Sequence, residues 1–175
     1  MGDNHEKWMP PIKKWYNVKK GAYALIHKEA KERLEDVLSE SESITNKSIK
    51  MITALAAFLG FFIGLVVNNK WQIGYLSVFF IIVLVDAIML YILIAPKYVK
   101  WRGLSPKISI PNNFDADEDK EFQEEMIYYT SIVVLQDNID FMLKRNNERA
   151  SLYKWALLLF LVLFTAIATF IILLF

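Results

Sequence analysis

The chain reads as an all-α membrane protein: three transmembrane helices, N-terminus inside and C-terminus outside, with a cytoplasmic helical bundle formed by long helices continuing from the spans. Three observations predict this. Hydrophobic residues are 55% of the 175, yet they are gathered into three blocks while the rest of the chain is highly charged, a contrast typical of spans alternating with solvated segments. Two stretches, Ala22 to Leu59 and Asp119 to Phe175, contain neither proline nor glycine, so nothing in them interrupts a helix. Lysine and arginine are shared very unequally between the connecting segments.

Each element follows from its residues. Residues 22–44 place Tyr23, Ile26, Ala30, Leu34, Val37 and Ser41 at helical spacing, with Lys28, Lys31, Glu32, Glu35 and Asp36 mostly elsewhere, the pattern of an amphipathic helix. This helix can run on into the first apolar block, residues 51–67, whose 17 uncharged residues are near the lower limit for crossing about 30 Å of hydrocarbon. A short turn, NNKWQIG, places Trp71 at interfacial depth. The second span runs from about Ile73 to Ala95 and stops at Pro96, which cannot donate to a continuing helix. A loop rich in breakers follows, WRGLSPKISIPNNFDADEDK, in which KISI has the look of a short strand and Asp115 or Asp117 can cap the next helix. From Asp119 one long helix, or two nearly collinear ones, leads into the third span at residues 155–175. Its segment MIYYTSIVVL, 126–135, is apolar on nearly all sides, so it is expected to pack against the 22–44 helix and against another subunit. The organisation expected is thus a tail and amphipathic helix over 1–50, a two-span hairpin over 51–95, a loop and long helix over 96–154, and a third span over 155–175.

Charge sets the orientation. Residues 1–50 hold ten lysines and arginines, the turn after the first span holds only Lys70, and residues 96–154 hold nine. The positive-inside rule puts both large polar segments in the cytoplasm. No apolar run near the start has the form of a cleavable signal peptide, and the Asn-Lys-Ser at Asn46 falls on the side where a glycosylation acceptor is not used.

Catalysis finds little support. There is no cysteine and there are only His5 and His27, with no metal-ligand spacing, glycine-rich phosphate loop or nucleophile elbow. The expectation is no catalytic residue, no metal and no cofactor. The acidic run DADEDKEFQEE reads first as a solvated helix start.

The candidate sites are polar groups in apolar surroundings. Asp86 interrupts FFIIVLVDAIMLY, where a charge near the bilayer centre costs about 2.5–3.5 kcal/mol or more. Tyr75, Asp86 and Lys97, spaced by eleven, share a helix face. On the first span Asn46, Lys50, Thr53, Ala57, Gly60 and Gly64 form a second face, and the small residues Ala57, Gly60 and Gly64 allow close helix packing. Thr165 and Thr169 lie one turn apart on the third span, Thr165 at a depth where it can hydrogen-bond Asp86. Asp86 therefore either lines a water-filled path in an oligomer or serves as a neutral, hydrogen-bonding staple between helices, and both roles require it to face protein. At the N-terminus Lys13, Lys14, Trp15, Lys19 and Lys20 combine charge with aromatic surface, suited to anionic lipid or an anionic ligand, or simply to the positive-inside bias. No duplex DNA binding is expected.

The layout carries a resemblance. A cytoplasmic helix leads through SITNKSIKMITALAAF into a two-span hairpin, and a second ends NIDFMLKRNNERASLYKWALLLF as it enters a further span. This resembles the small transmembrane effectors of bacterial anti-phage systems, the Pycsar transmembrane effectors and the SLATT group; the NKS at 46–48 loosely matches the polar segment before their first span. It departs from them in lacking a fused nucleotide-sensing domain and in having a third span where SLATT proteins typically have two. The resemblance implies a homo-oligomer in the bacterial inner membrane, a cyclic or linear oligonucleotide made by a partner nucleotidyltransferase, and membrane permeabilisation on activation. The other expectation is a non-enzymatic structural or regulatory subunit of a membrane complex.

Overall fold

The computed structural model describes residues 14, 17–69, 73–95 and 123–174. All regular elements among the described residues are helices: α1, Lys20–Asn69; α2, Ile73–Ile94; and α3, Gln123–Leu174. The KISI segment, Asp115, Asp117 and the rest of residues 96–122 lie outside them.

Local chemistry explains the helix limits. The carbonyl of Lys19 accepts from the Ala22 amide at 2.8 Å and opens α1, which then runs on as one helix past residue 51. The Ala95 amide donates to the Tyr91 carbonyl at 2.8 Å and closes α2, just before Pro96. Glu124 and Glu125 occupy the first turn of α3, where their charge complements the exposed amides. Further along α3, the Gln136 amide donates to Asp140 one turn on, at 2.9 Å.

The chain forms two compact units: one from residues up to Ser39 with Tyr98–Arg145, the other from Glu40–Lys97 with Asn146–Phe175. The divisions fall within α1 and α3, short of residues 51 and 155 where the apolar blocks begin. In the first unit, Leu34 and Val37 of α1 pack with Leu135, Ile139 and Met142 of α3. Burying a side chain such as Leu34 from water is worth roughly 2 kcal/mol. Tyr23 is buried as expected, but Ile26 is exposed. It falls off the face because the buried side of α1 advances by alternating steps of three and four residues (Tyr23, His27, Ala30, Leu34, Val37), and Ile26 precedes one of these positions. The apolar 126–135 segment is largely covered, with Ser131, Ile132, Val133 and Leu135 buried.

In the second unit three helices share one core. Ile44, Met51 and Leu55 of α1, Val83, Leu90 and Leu93 of α2, and Ala156 and Leu163 of α3 form a continuous cluster. Their spacing is that of a coiled-coil seam. Steps of seven connect Ser41, Ser48, Leu55 and Phe62 on α1, then Phe79, Asp86 and Leu93 on α2, then Arg149, Ala156 and Leu163 on α3. Aromatic rings fill the seam beyond it: Phe62 lies 3.9 Å from Phe79, centroid to centroid, and Phe58 lies 5.8 Å from Phe164.

Much of the second unit's outer surface is apolar as well. Phe61, Leu84, Tyr91, Trp155 and Leu161 are all more than half exposed. α1 and α3 are each long and apolar enough to cross a membrane, and only 22% and 17% of their most apolar stretches are buried. The core helix of a water-soluble domain would be mostly buried. The described apolar part of α2, Phe79–Ile94, is shorter.

Candidate functional site

The polar centre of the second unit is Arg149, buried to 8% exposure. Its Nη1 donates to the Ser41 carbonyl at 3.2 Å and to Ser41 Oγ at 2.5 Å. Its Nη2 donates to Thr45 Oγ1 at 2.6 Å and to the Leu93 carbonyl at 2.8 Å. One planar guanidinium thus joins all three helices, a task suited to the rigid fork of arginine. The Leu93 carbonyl belongs to the last turn of α2, where helix carbonyls lack intrahelical donors and a cation is favoured by the helix dipole. One turn before Arg149, Asn146 Nδ2 donates to Glu40 Oε2 at 3.3 Å.

Asp86 lies one heptad before Leu93 on α2, about 10 Å away along the axis. It has no exposed surface, and neither carboxylate oxygen has a hydrogen-bond partner among the described residues. Val83 and Leu90, which flank it on the seam, belong to the apolar cluster. The expectation that Asp86 faces protein holds. The bond from Thr165 does not form: Thr165 is exposed and donates to the carbonyls of Leu161 and Val162 at 3.1 and 3.0 Å. Thr169, also exposed, donates to the Thr165 carbonyl at 2.8 Å. Both threonines stand two residues beyond the buried seam positions Leu163 and Ile167, about 200° around the helix. Nor does Asp86 line an outer path between copies in this packing, since it is sealed within one chain.

The small face of the first span is likewise turned outward. Asn46, Lys50, Thr53, Ala57, Gly60 and Gly64 are all exposed, and Thr53 donates to its own Ile49 carbonyl at 3.0 Å. A Cβ on Gly60 or Gly64 would meet nothing within 4 Å. The face that packs is the opposite one, displaced by two residues: Ile44, Ser48, Met51, Leu55, Phe58 and Phe62. Its bulkier side chains bury more surface against α2 and α3 than the small ones can.

Tyr75 lies on α2, but its side chain, like Lys97, Lys13 and Trp15, is outside the described set. Lys14 and Lys19 are exposed. Lys20 forms an ion pair with Glu124, whose carboxylate raises the pKa of the ammonium group. In the same unit His27 meets Tyr128 edge to face with centroids 5.4 Å apart. Desolvation and then the Lys31 charge lower its pKa, while burial raises that of the Tyr23 phenol. Among the described residues no three His, Cys, Asp or Glu side chains gather as a metal site.

Sequence reasoning passed over Arg149. The signal was there in phase: it falls at seven-residue steps with Leu135, Met142, Ala156 and Leu163, so a charged residue occupies a core position. No protein-family model, curated protein or solved structure matches this chain.

Proposed function

We propose that this protein is an oligomeric, non-enzymatic effector of the bacterial inner membrane, with three spans, the N-terminus and the 98–145 segment cytoplasmic, and the C-terminus outside. A cytoplasmic signal, of the oligonucleotide class that the resemblance implies, releases membrane permeabilisation in phage defence. The observation that carries the oligomeric part is the outward face of α1. Thr53, Ala57, Gly60 and Gly64 form an exposed stripe of small residues there, beside the bulky Phe61 and Ile63, while Leu84 and Tyr91 of α2 and Leu161 and Phe164 of α3 are exposed bulky residues. Bulky apolar residues suit lipid; small residues let another helix approach closely. Copies meeting through α1 would bring Thr53 and its neighbours together between chains and leave Asp86 inside each chain.

The test uses purified protein in liposomes loaded with a small dye. Release that requires an added cyclic or linear oligonucleotide, and that Gly60→Leu abolishes without loss of helix content, supports the reading. Tight vesicles under all these conditions overturn it. Orientation is read separately: the chain has no cysteine, so single cysteines at Ser39, Asn69 and Lys144 report the side of the membrane by impermeant labelling. The second reading, a structural or regulatory subunit, is favoured by the Arg149 cluster, which ties three helices into one body. It predicts tight vesicles and a stoichiometric partner that co-purifies.

A further inference from the structure

The charges of α1 and α3 stop at one level. Lys50 is the last charged residue of α1 and Lys154 the last of α3, and each directly precedes an apolar block. Both belong to the second unit, whose contacts fix their register. Phe58 of α1 meets both Phe160 and Phe164 of α3, so residue 162 is level with Phe58. Lys154 and Lys50 each stand eight residues before those two positions. The bonded pair Arg149 and Thr45 keeps the same offset of 104 residues.

The lysines also share a groove. The Phe58–Phe164 contact marks where the two helices touch. At about 100° per residue, Lys50 lies about 80° round from Phe58, and Lys154 about 80° round from Phe164, each turned away from the buried seam. Lys47 lies about 20° beyond Phe58 in the same sense. All three are exposed and line the outer groove between α1 and α3.

No acid of these helices balances them. Glu42 and Glu148, the nearest along the chain, each lie about 160° from the contact position. Glu40 is on the groove flank, but it accepts from Asn146 and lies about 10 Å before Lys47 along the axis. None of the three lysines forms an ion pair among the described residues. Three ammonium groups gathered at the start of the apolar blocks repel one another and attract an anion. Deeper in the groove the walls are apolar. Phe61 lies about 60° beyond Phe58, and Leu157 and Leu161 about 20° and 60° beyond Phe164, and all three are exposed. A ligand with phosphate at one end and hydrocarbon at the other complements both parts.

We propose that the outer α1–α3 groove binds one anionic phospholipid, with its phosphate held by Lys47, Lys50 and Lys154 and an acyl chain laid along Phe61, Leu157 and Leu161. The proposal rests on the reading of α1 and α3 as membrane spans and needs neither permeabilisation nor a nucleotide signal.

The experiment places the full chain in nanodiscs of phosphatidylcholine, with or without phosphatidylglycerol. Lipid retained by the released protein is identified by native mass spectrometry, and thermal unfolding is measured in parallel. Phosphatidylglycerol should be retained severalfold over phosphatidylcholine and should raise the unfolding midpoint. The double variant Lys50→Gln with Lys154→Gln should lose this preference at unchanged helix content, and Lys50→Arg with Lys154→Arg should keep it. Lys28→Gln with Lys31→Gln, which removes the same charge from the first unit, should also keep it. Inorganic phosphate added to phosphatidylcholine discs should not reproduce the shift; if it does, the groove takes a soluble phosphate and the lipid assignment falls. Equal retention of the two lipids, or equal loss of preference in the two glutamine variants, overturns the proposal. A chain that does not enter nanodiscs overturns the span reading together with the site, whereas one that enters them without preferring phosphatidylglycerol overturns the site alone.

Discussion

The guanidinium of Arg149 on α3 donates to the main-chain carbonyl of Leu93 at the end of α2, 2.8 Å away. Because the acceptor is backbone, no substitution at residue 93 removes it, whereas a change at Arg149 leaves it without this donor. The same side chain satisfies Ser41 and Thr45 on α1. Arg149→Ala should therefore destabilise the second unit by about 3 kcal/mol, the scale for stranding buried partners of a charged group. Arg149→Lys should recover only part of this, since an ammonium cannot span the same acceptors. Unfolding titrations in mild detergent measure both.

Asp86 makes the opposite case. It is wholly buried beside Val83 and Leu90, and its oxygens lack hydrogen-bond partners among the described residues. Replacing it with an apolar residue removes an uncompensated polar group. Asp86→Leu should raise stability by about 1–3 kcal/mol. A loss of stability on this substitution would show that the carboxylate has a favourable partner in the membrane.

Gly60 and Gly64 separate folding from assembly. A Cβ at either meets nothing within 4 Å, and a mid-helix glycine costs roughly 0.5–1 kcal/mol relative to alanine. Gly60→Ala and Gly64→Ala should leave the monomer fold intact or slightly more stable. If copies meet through this face, the bulkier Gly60→Leu should shift the protein to a smaller species in light scattering at unchanged helicity.

His27 predicts a pH dependence in the first unit. Desolvation, then Lys31, hold its pKa below 6.5 in the folded chain. The unfolded chain takes up a proton near the ordinary value of about 6.5, and the folded chain only at lower pH. The contribution of His27 is therefore complete above that value. It declines as pH falls below it and levels off once the folded form is also protonated. The unfolding midpoint of wild type should fall between about pH 7.5 and about pH 5 more than that of His27→Gln.

The extent of the helices was legible because proline and glycine are absent from the stretches that form α1 and α3. The interior position of Asp86 was legible too, since an acid amid FFIIVLVDAIMLY has no inexpensive place facing lipid. The packing face of α1 was misread. Ala57, Gly60 and Gly64 permit close approach, but Met51, Leu55 and Phe62, which lie on the other side, fill more volume and decided which side turned inward. Thr165 was assigned to Asp86 by depth alone, and depth says nothing about azimuth. Arg149 was hidden in the charged run KRNNER, where only its phase relative to Leu135 and Ala156 marks it as a core residue.

The burial of Asp86 has a consequence for how the protein is made. The seam that shelters it is built from all three helices, and the α3 portion, from Asn146 onward, is synthesised last. Until then the α1–α2 hairpin carries an uncovered acid, and in the proposed three-span topology its exposure to lipid costs about 2.5–3.5 kcal/mol. If α2 spans the membrane as proposed above, the nascent hairpin is a weakly inserted intermediate that needs the insertion machinery to retain it. Chains truncated before Asn146 should be cleared by membrane proteolysis faster than full-length chains, and Asp86→Leu should slow their clearance.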